Sequence, residues 1–496
     1  MGVLSHLEPQ KVFDVFEQLC GIPHGSGNTK QISDFCVEYA TKRGCKAVQD
    51  KVNNVIIYKD ATPGYEEHPT VIIQGHIDMV CEQDKAVSSI NMETDGLELG
   101  IDGDEIFAKG TTLGGDNGIA VAYALALLDD EHAVHPPLEI LLTVDEEVGM
   151  IGAENLDGSL LKGRILLNID SEEEGTFLSS CAGGMRCQSI LPIRREDIMG
   201  SMVKVQICGL KGGHSGMEII KQRGNSNVLM ARLLNKINSE CGLQLLTLEG
   251  GLKDNAIPLD TTAVFVTKDA GKALNIAKHV EEQLRKELRA TDPDVVVNAE
   301  ILEEECEKNI SCDSKDAETL EICNVLTQDS TDKVIALALC LPNGIQRMSS
   351  EMEGLVQTSL NMGILRLEEE SCLLSYSVRS SVESEKYALV EKMKCLTSMA
   401  GGECQLHGDY PGWEYDKDSK IRQIALDTYK QVFGKEAKIE AIHAGLECGL
   451  LSGKLPGLDA ISFGPNLKDV HTSKERMSIS SATRIYKLLV EMLKNI

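Results

Sequence analysis

No apolar run in this 496-residue chain approaches the length of a membrane span. The first twenty residues, Met1 to Cys20, alternate charged and apolar groups and lack the basic-then-apolar order of an export signal. Myristoylation at Gly2 is argued against as well, because that motif wants Ser or Thr where His6 stands. Positive charge is scarce: Lys and Arg number 49 against 77 Asp and Glu, a net charge of −28. So acidic a surface repels phosphate backbones and anionic lipid, so neither nucleic acid nor a membrane is an expected partner. Paired cysteine spacings are absent too. The 16 Cys are scattered, which fits reduced thiols in a cytosol better than a disulfide framework. There is no short-period repeat and no low-complexity tract. The expectation is a soluble, cytoplasmic protein.

What the chain does have is ordinary globular composition, 42% hydrophobic and 25% charged, enough to fold throughout. Its length calls for two or three compact units. Val55 to Tyr58, Thr70 to Gln74, Leu138 to Val144 and Arg164 to Ile169 are short apolar runs of the kind found in strands covered on both faces. Helical spacing over Ile32 to Lys42 and Gly118 to Leu128 lies among them. Residues 1–184 therefore read as the first part of an α/β domain with a mostly parallel sheet. After Gly183-Gly184 the texture changes. Strands at Met202 to Leu210, Thr261 to Thr267, Asp294 to Ile301 and Cys372 to Arg379, with helices at Ala270 to Leu288 and Ser384 to Ser398, predict an inserted α+β lid domain over 185–398. The strand Asp459 to Phe463 and the amphipathic helix Ser480 to Ile496 then complete the first domain over 399–496.

Polar residues beyond the ends of such strands face a common crevice. His76 and Asp78, in Gly-His-Ile-Asp after the second strand, share one side of an extended segment and suit a metal ligand and its orienting partner. Asp116 sits in a glycine-rich turn, Gly110 to Gly118, before a helix; the turn lacks a Walker lysine, so a cation is a better guest than a nucleotide. Asp145-Glu146-Glu147 crowds three carboxylates at a strand end, where they repel unless a cation or a shared proton compensates. One carboxylate of that cluster can bind metal while its neighbour takes a proton from water. Glu172-Glu173-Glu174 reads instead as a solvated turn. Asp170 closes another apolar strand and His471 lies in a loop after Asp459 to Phe463. Taken singly, each is unremarkable; His76, Asp116, Glu147, Asp170 and His471 beyond the ends of one sheet are not.

Together with Asn168-Ile-Asp170, these motifs resemble the di-zinc aminoacylase and carboxypeptidase family of metallopeptidases. Three further stretches, Gly212-Gly-His214-Ser-Gly216, Asn255-Ala-Ile-Pro258 and His443-Ala-Gly-Leu-Glu447-Cys, are similar to the aminoacyl-histidine (cytosol non-specific) dipeptidase branch. The resemblance implies two divalent metals, zinc with manganese or cobalt as alternatives. It gives His76 and Asp170 to one metal, Glu147 and His471 to the other, and Asp116 to both. It implies a cis Asp116–Asn117 peptide, and Glu146 as the base that activates a water between the metals. His214 and Asn255 would stabilise the oxyanion. Arg379 would grip the substrate carboxylate, with Arg223 and Arg347 as competitors, and His443 and Glu447 would meet the substrate, Glu447 at its free amine. A small dipeptide is the expected substrate. A homodimer is compatible with the pattern, since simpler relatives dimerise through the lid and lend a His across, although a lid of this size could supply His214 from the same chain. Two rivals stay open: an N-acyl amino acid deacylase on the same metals, and a metal-stabilised binding protein with a relic site.

Overall fold

The strands Val71–His76 and Leu138–Thr143 are buried at every position, as continuous apolar runs are when both faces of a sheet are covered. Val71, Ile73, Ile140 and Leu142 join a core on one face. Ile72 and Leu141 join a smaller one on the other, with Leu166, Trp413 and Leu451. In the computed structural model, which describes residues 2–302 and 321–496, these strands are central to an eight-stranded sheet. Its order is Lys46–Gln49, Val55–Lys59, Leu138–Thr143, Val71–His76, Ile165–Asn168, Asp459–Ser462, Thr176–Cys181, Lys438–Ile442. Pairing is parallel from Leu138–Thr143 across to Asp459–Ser462 and antiparallel on the Lys46–Gln49 side. The architecture is α/β. Three margin strands, Lys46–Gln49, Thr176–Cys181 and Lys438–Ile442, have no apolar run to announce them, being short and mixed in polarity.

The helix Gly115–Asp129 is buried without a break from Asn117 to Leu128. It packs against both the Val71–His76 strand and the helix Gln10–Cys20, and a helix so enclosed has to be apolar all round. Outer helices bury a single stripe: Val12, Phe13, Phe16 and Leu19 in Gln10–Cys20, and Ile485, Leu488, Leu489 and Met492 in Ile479–Asn495. No helix among the described residues is long and apolar enough to cross a membrane. A separate four-stranded sheet, in the order Leu467–Lys468, Arg476–Ser478, Glu105–Ala108, Leu99–Asp102, joins the approach to the glycine-rich turn to the loop that carries His471.

The chain divides into two compact units. The first ends its opening stretch at Cys181 and resumes over Trp413–Ile442 and Leu446–Ile496; the second comprises Ala182–Gly412 and His443–Gly445. It thus extends past the expected return at 399, because Glu403–Tyr410 is hydrogen-bonded to Gly183–Pro192 as an edge strand. His443–Gly445 joins it through the bond from Ala182 N–H to Ala444 O, 3.0 Å. Within this unit a ten-stranded antiparallel sheet is accompanied by Ser226–Cys241, Ala270–Glu287, Gln328–Cys340 and Glu383–Ala400 around a core including Val205, Leu233, Phe265, Leu337 and Tyr376. Every cysteine among the described residues is free.

Candidate active site

The site of the first unit lies beyond the ends of the parallel strands, where open α/β sheets place theirs. His76 is the last residue of its strand and is buried; its Nε2 faces Asp116 Oδ1 at 3.3 Å and Asp170 Oδ1 at 3.6 Å. Glu147, just past Leu138–Thr143, sets its Oε1 2.7 Å from His471 Nε2, which is itself 3.3 Å from Asp116 Oδ2. Asp116 therefore turns one oxygen toward each imidazole. Ligand atoms of His76, Asp116 and Glu147 all fall within 4.8 Å of one another, close enough to hold a metal ion. His471 and Asp170 extend the group through the contacts just given. Donors bound at about 2.0–2.2 Å in a tetrahedral array stand roughly 3.3 Å apart. The separations of 3.3 and 3.6 Å fit that spacing.

The electrostatics point the same way. Burial lifts Glu146 well above the usual carboxylate range, with Asp170, Glu447 and Glu147 adding to the shift against the pull of His76. Burial raises Glu147 and Asp170 as well. It acts likewise on Asp116, but hydrogen bonds with His471 and His76 outweigh it and hold that carboxyl far below its ordinary value. Burial favours neutral His76, yet Asp116, Asp170 and Asp78 raise it well above an ordinary imidazole. His471 is lifted to about 10 by Asp116 and Glu147. Four carboxylates competing for two imidazoles make a site short of positive charge, which a divalent cation would supply.

Several groups hold this arrangement. His76 Nδ1 lies 3.0 Å from the backbone oxygen of Asp78 and 3.4 Å from its Oδ1, and the Asp78 carboxylate accepts the N–H of Glu146 at 3.1 Å, that of Glu147 at 3.4 Å and the Ser26 hydroxyl at 2.8 Å. It orients the imidazole and the acidic turn at once. Asn117 accepts from His76 N–H at 3.2 Å and donates to Ile169 O at 2.5 Å, tying the glycine-rich turn to two strand ends. The Asp116–Asn117 peptide is cis, in keeping with the resemblance. Asp145 accepts the Gly27 N–H at 2.6 Å, so one of the three acids in that turn is engaged by backbone.

Glu447 opens the helix Glu447–Lys454 and is fully buried. Its Oε2 accepts from Gln74 and, at 2.7 Å, from the Thr143 hydroxyl, while Oε1 has no partner among the described residues. Burial, opposed by His76 and Thr143, lifts it to about 7, so it is not the fully charged group its place in the sequence suggests. Of the acids at 172–174, Glu172 and Glu173 are exposed, as a solvated turn requires, and Glu174 departs from that reading. Glu174 forks onto Arg484 at 2.6 and 2.7 Å, and partial desolvation lifts Glu172 to about 7. Glu475 is absent from the residues the sequence singles out, yet it is 2% exposed and its carboxylate accepts four backbone N–H groups of the glycine-rich turn. Its only sequence signal is its position four residues after His471.

The second unit gathers its own group. His214 lies in a short ribbon, Gly213–His214 against Ala256–Ile257, and Asn255 O accepts the Ser215 N–H at 2.9 Å. His214 Nδ1 accepts from Gly216 and Met217 N–H at 3.3 and 3.1 Å, which makes Nε2 the protonated, donating nitrogen. Arg379, near the end of Ser371–Ser380, is buried; it donates from Nη1 to the Tyr410 hydroxyl at 3.2 Å and keeps an Nε without a partner among the described residues. By contrast Arg223 pairs with Glu218 at 3.3 Å and Arg347 with Glu385 at 2.5 Å. A Cβ at Gly216 would clash with the backbone oxygen of His443, so the close approach requires glycine, and it would stand 3.1 Å from both Arg379 Nε and His214 Cε1. His443 Nε2 is 2.7 Å from Ser359 Oγ.

Burial, with Arg379 and His214 adding to it, depresses His443 from 6.5 to about 3. A folded value below the unfolded one means that the stabilisation is complete above pH 6.5 and is lost as pH falls toward 3. The loss is about 1.4 kcal/mol per pH unit. His443→Gln, which cannot take up that proton, is expected to lose less stability than the wild type between pH 7 and pH 5. Urea midpoints at the two pH values check this, and parallel declines would refute it.

The model of the peptidase family M20/M25/M40 matches residues 72–495. The chain belongs to this family. It is 37% identical over 498 positions to the cytosol non-specific dipeptidase of Escherichia coli (strain K12), covering 100% of the chain and 99% of that relative. It is similar to the crystal structure of aminoacylhistidine dipeptidase from Vibrio alginolyticus with a TM-score of 0.90 and 36% identity, covering 100% of this chain and 98% of that one. The aminopeptidase PepT of Bacillus cereus, 14% identical with a TM-score of 0.56 over 98% of each chain, shares the fold alone. In this M20 peptidase the matched span takes in every candidate site residue, from His76 to His471.

Proposed function

We propose that this M20 peptidase hydrolyses the amide bond of small dipeptides, including Xaa-His and carnosine-like ones, and that it works in the cytoplasm with two zinc ions, for which manganese or cobalt can substitute. The observation that supports this most is the pair of Asp116 oxygens, each 3.3 Å from a different imidazole. His76 and Asp170 would hold one ion, Glu147 and His471 the other, and Asp116 both. Bound there, the cations would polarise the scissile carbonyl and acidify the attacking water.

The rest falls to the side chains. Glu146 takes the proton from the attacking water and returns it to the amide nitrogen as the C–N bond breaks; its burial among carboxylates gives it the necessary affinity for a proton. Asp78 keeps His76 and the Glu146-Glu147 backbone in register. His214 Nε2–H, with Asn255, donates to the carbonyl oxygen as negative charge develops. Arg379 holds the terminal carboxylate with the donors it has to spare, beside His443. Glu447 offers its unpaired oxygen to the free α-amine, and this oxygen favours a dipeptidase over a deacylase, whose acylated substrates have no ammonium to place there.

The test is turnover of β-alanyl-histidine, glycyl-glycine and N-acetyl-alanine by zinc-reconstituted protein. Cleavage of the first two is expected; cleavage of N-acetyl-alanine alone would make the enzyme a deacylase, and no turnover would leave a binding protein. Arg379→Ala should lower kcat/KM on dipeptides roughly 10–100-fold, the worth of a charged hydrogen bond. An unchanged value would remove Arg379 from the carboxylate.

A further inference from the structure

We infer that Glu475 is a positioning residue for the metal centre, fixing Asp116 in the orientation that faces both His76 and His471. The inference rests on the metal-site reading above. Glu475 Oε2 accepts the N–H of Leu113 at 2.7 Å and of Gly114 at 3.0 Å; Oε1 accepts that of Gly115 at 2.8 Å and of Asp116 at 3.3 Å. Four successive backbone donors, the last belonging to Asp116 itself, thus converge on one carboxylate. A buried carboxylate is costly unless it is fully hydrogen-bonded, and bonds to a charged acceptor are stronger than those between neutral groups. The turn is built for that approach. Gly114 has φ 68°, and a Cβ on Gly115 would come within 3.2 Å of Oε1.

The same residue controls the other imidazole. Glu475 and His471 lie in one loop between Leu467–Lys468 and Arg476–Ser478, tightened by Thr472 N–H to Asp469 O at 3.2 Å and Glu475 N–H to Thr472 O at 3.1 Å. Arg476, the next residue, pairs with Phe107 in the small sheet, whose strand leads on to the glycine-rich turn. Glu475 therefore fixes the offset between the His471 loop and the Asp116 turn. Without its charge, the turn has four buried donors to satisfy by moving, and Asp116 moves with them.

Glu475→Gln places an amide NH₂ against N–H donors, whereas Glu475→Asp keeps the charge on a stem one methylene shorter. Zinc affinity of the full chain, read by competition with a chromogenic chelator, should fall roughly 10–100-fold in Glu475→Gln. It should recover in part in Glu475→Asp. Thermal midpoints with and without zinc separate positioning from plain stability. Positioning predicts a smaller metal-induced rise in the variant; a lower midpoint with unchanged zinc affinity and an unchanged rise would overturn it. Should Glu475→Gln fail to fold, Glu475→Asp carries the same comparison. Wild type that binds no zinc would overturn the metal-site reading itself, a result distinct from a variant that binds as tightly as wild type.

Discussion

Glu146→Gln is expected to abolish dipeptide hydrolysis while leaving the metal content of the protein unchanged. Glu146 is not one of the three residues His76, Asp116 and Glu147 whose ligand atoms lie within 4.8 Å of one another, and its backbone N–H, bonded to Asp78 at 3.1 Å, is untouched by the substitution. What would disappear is the proposed proton acceptor. Loss of a placed general base costs roughly 10²–10⁴-fold, and because the base acts only as the bond is being made, the loss should fall on kcat with KM nearly constant. Metal analysis of the purified variant beside steady-state kinetics decides the matter. Retained turnover would transfer the role to another carboxylate, and Glu447, lifted to about 7, is the neighbour chemically able to accept it.

Asp116→Ala should have the broadest effect of any single substitution, removing activity and most of the metal together. Its two oxygens face His76 and His471, each at 3.3 Å. On the proposed assignment each cation would then keep only two private ligands, and the several kcal/mol that the cations would supply to the transition state would be forfeited, about 10³-fold or more in rate. Chelation of the wild type should reproduce the activity loss and zinc should reverse it; zinc should not rescue Asp116→Ala. Isothermal titration with zinc gives the stoichiometry directly, and two ions bound by the variant with wild-type affinity would contradict the bridging role.

Of the five candidate donors, His76, Glu147 and Asp170 were legible because each stands at or just past the end of an apolar run, Asp116 because a glycine-rich turn presents it, and His471 only in the company of the others. That signal is local, and a buried parallel strand writes it plainly. The residues that hold the donors are a different matter. Glu475 meets Gly115 across 360 positions of chain, and nothing near it in sequence distinguishes it from an exposed surface acid. The small sheet that unites the two loops is likewise built from strands of two to four residues, too short for any periodicity. Glu447 stood out by its motif, but its charge state follows from burial behind Gln74 and Thr143, which composition does not reveal. The end of the second unit was misplaced at 398 for a related reason: Glu403–Tyr410 is mostly exposed and polar, and only its pairing with Gly183–Pro192 makes it part of that sheet.

The strands of the first sheet do not leave the ribosome in the order in which they pair. Ile165–Asn168 pairs on one side with Val71–His76, already made, but its other neighbour, Asp459–Ser462, is synthesised only after the whole of Ala182–Gly412. At about 5–20 residues per second, an almost entirely apolar strand edge stays open for tens of seconds. An open edge of that kind is a template for pairing with another chain. Newly made protein is thus most exposed to aggregation during that interval. Occupancy by a chaperone that binds extended apolar segments should peak while the second unit is being made and end once Ser462 has emerged.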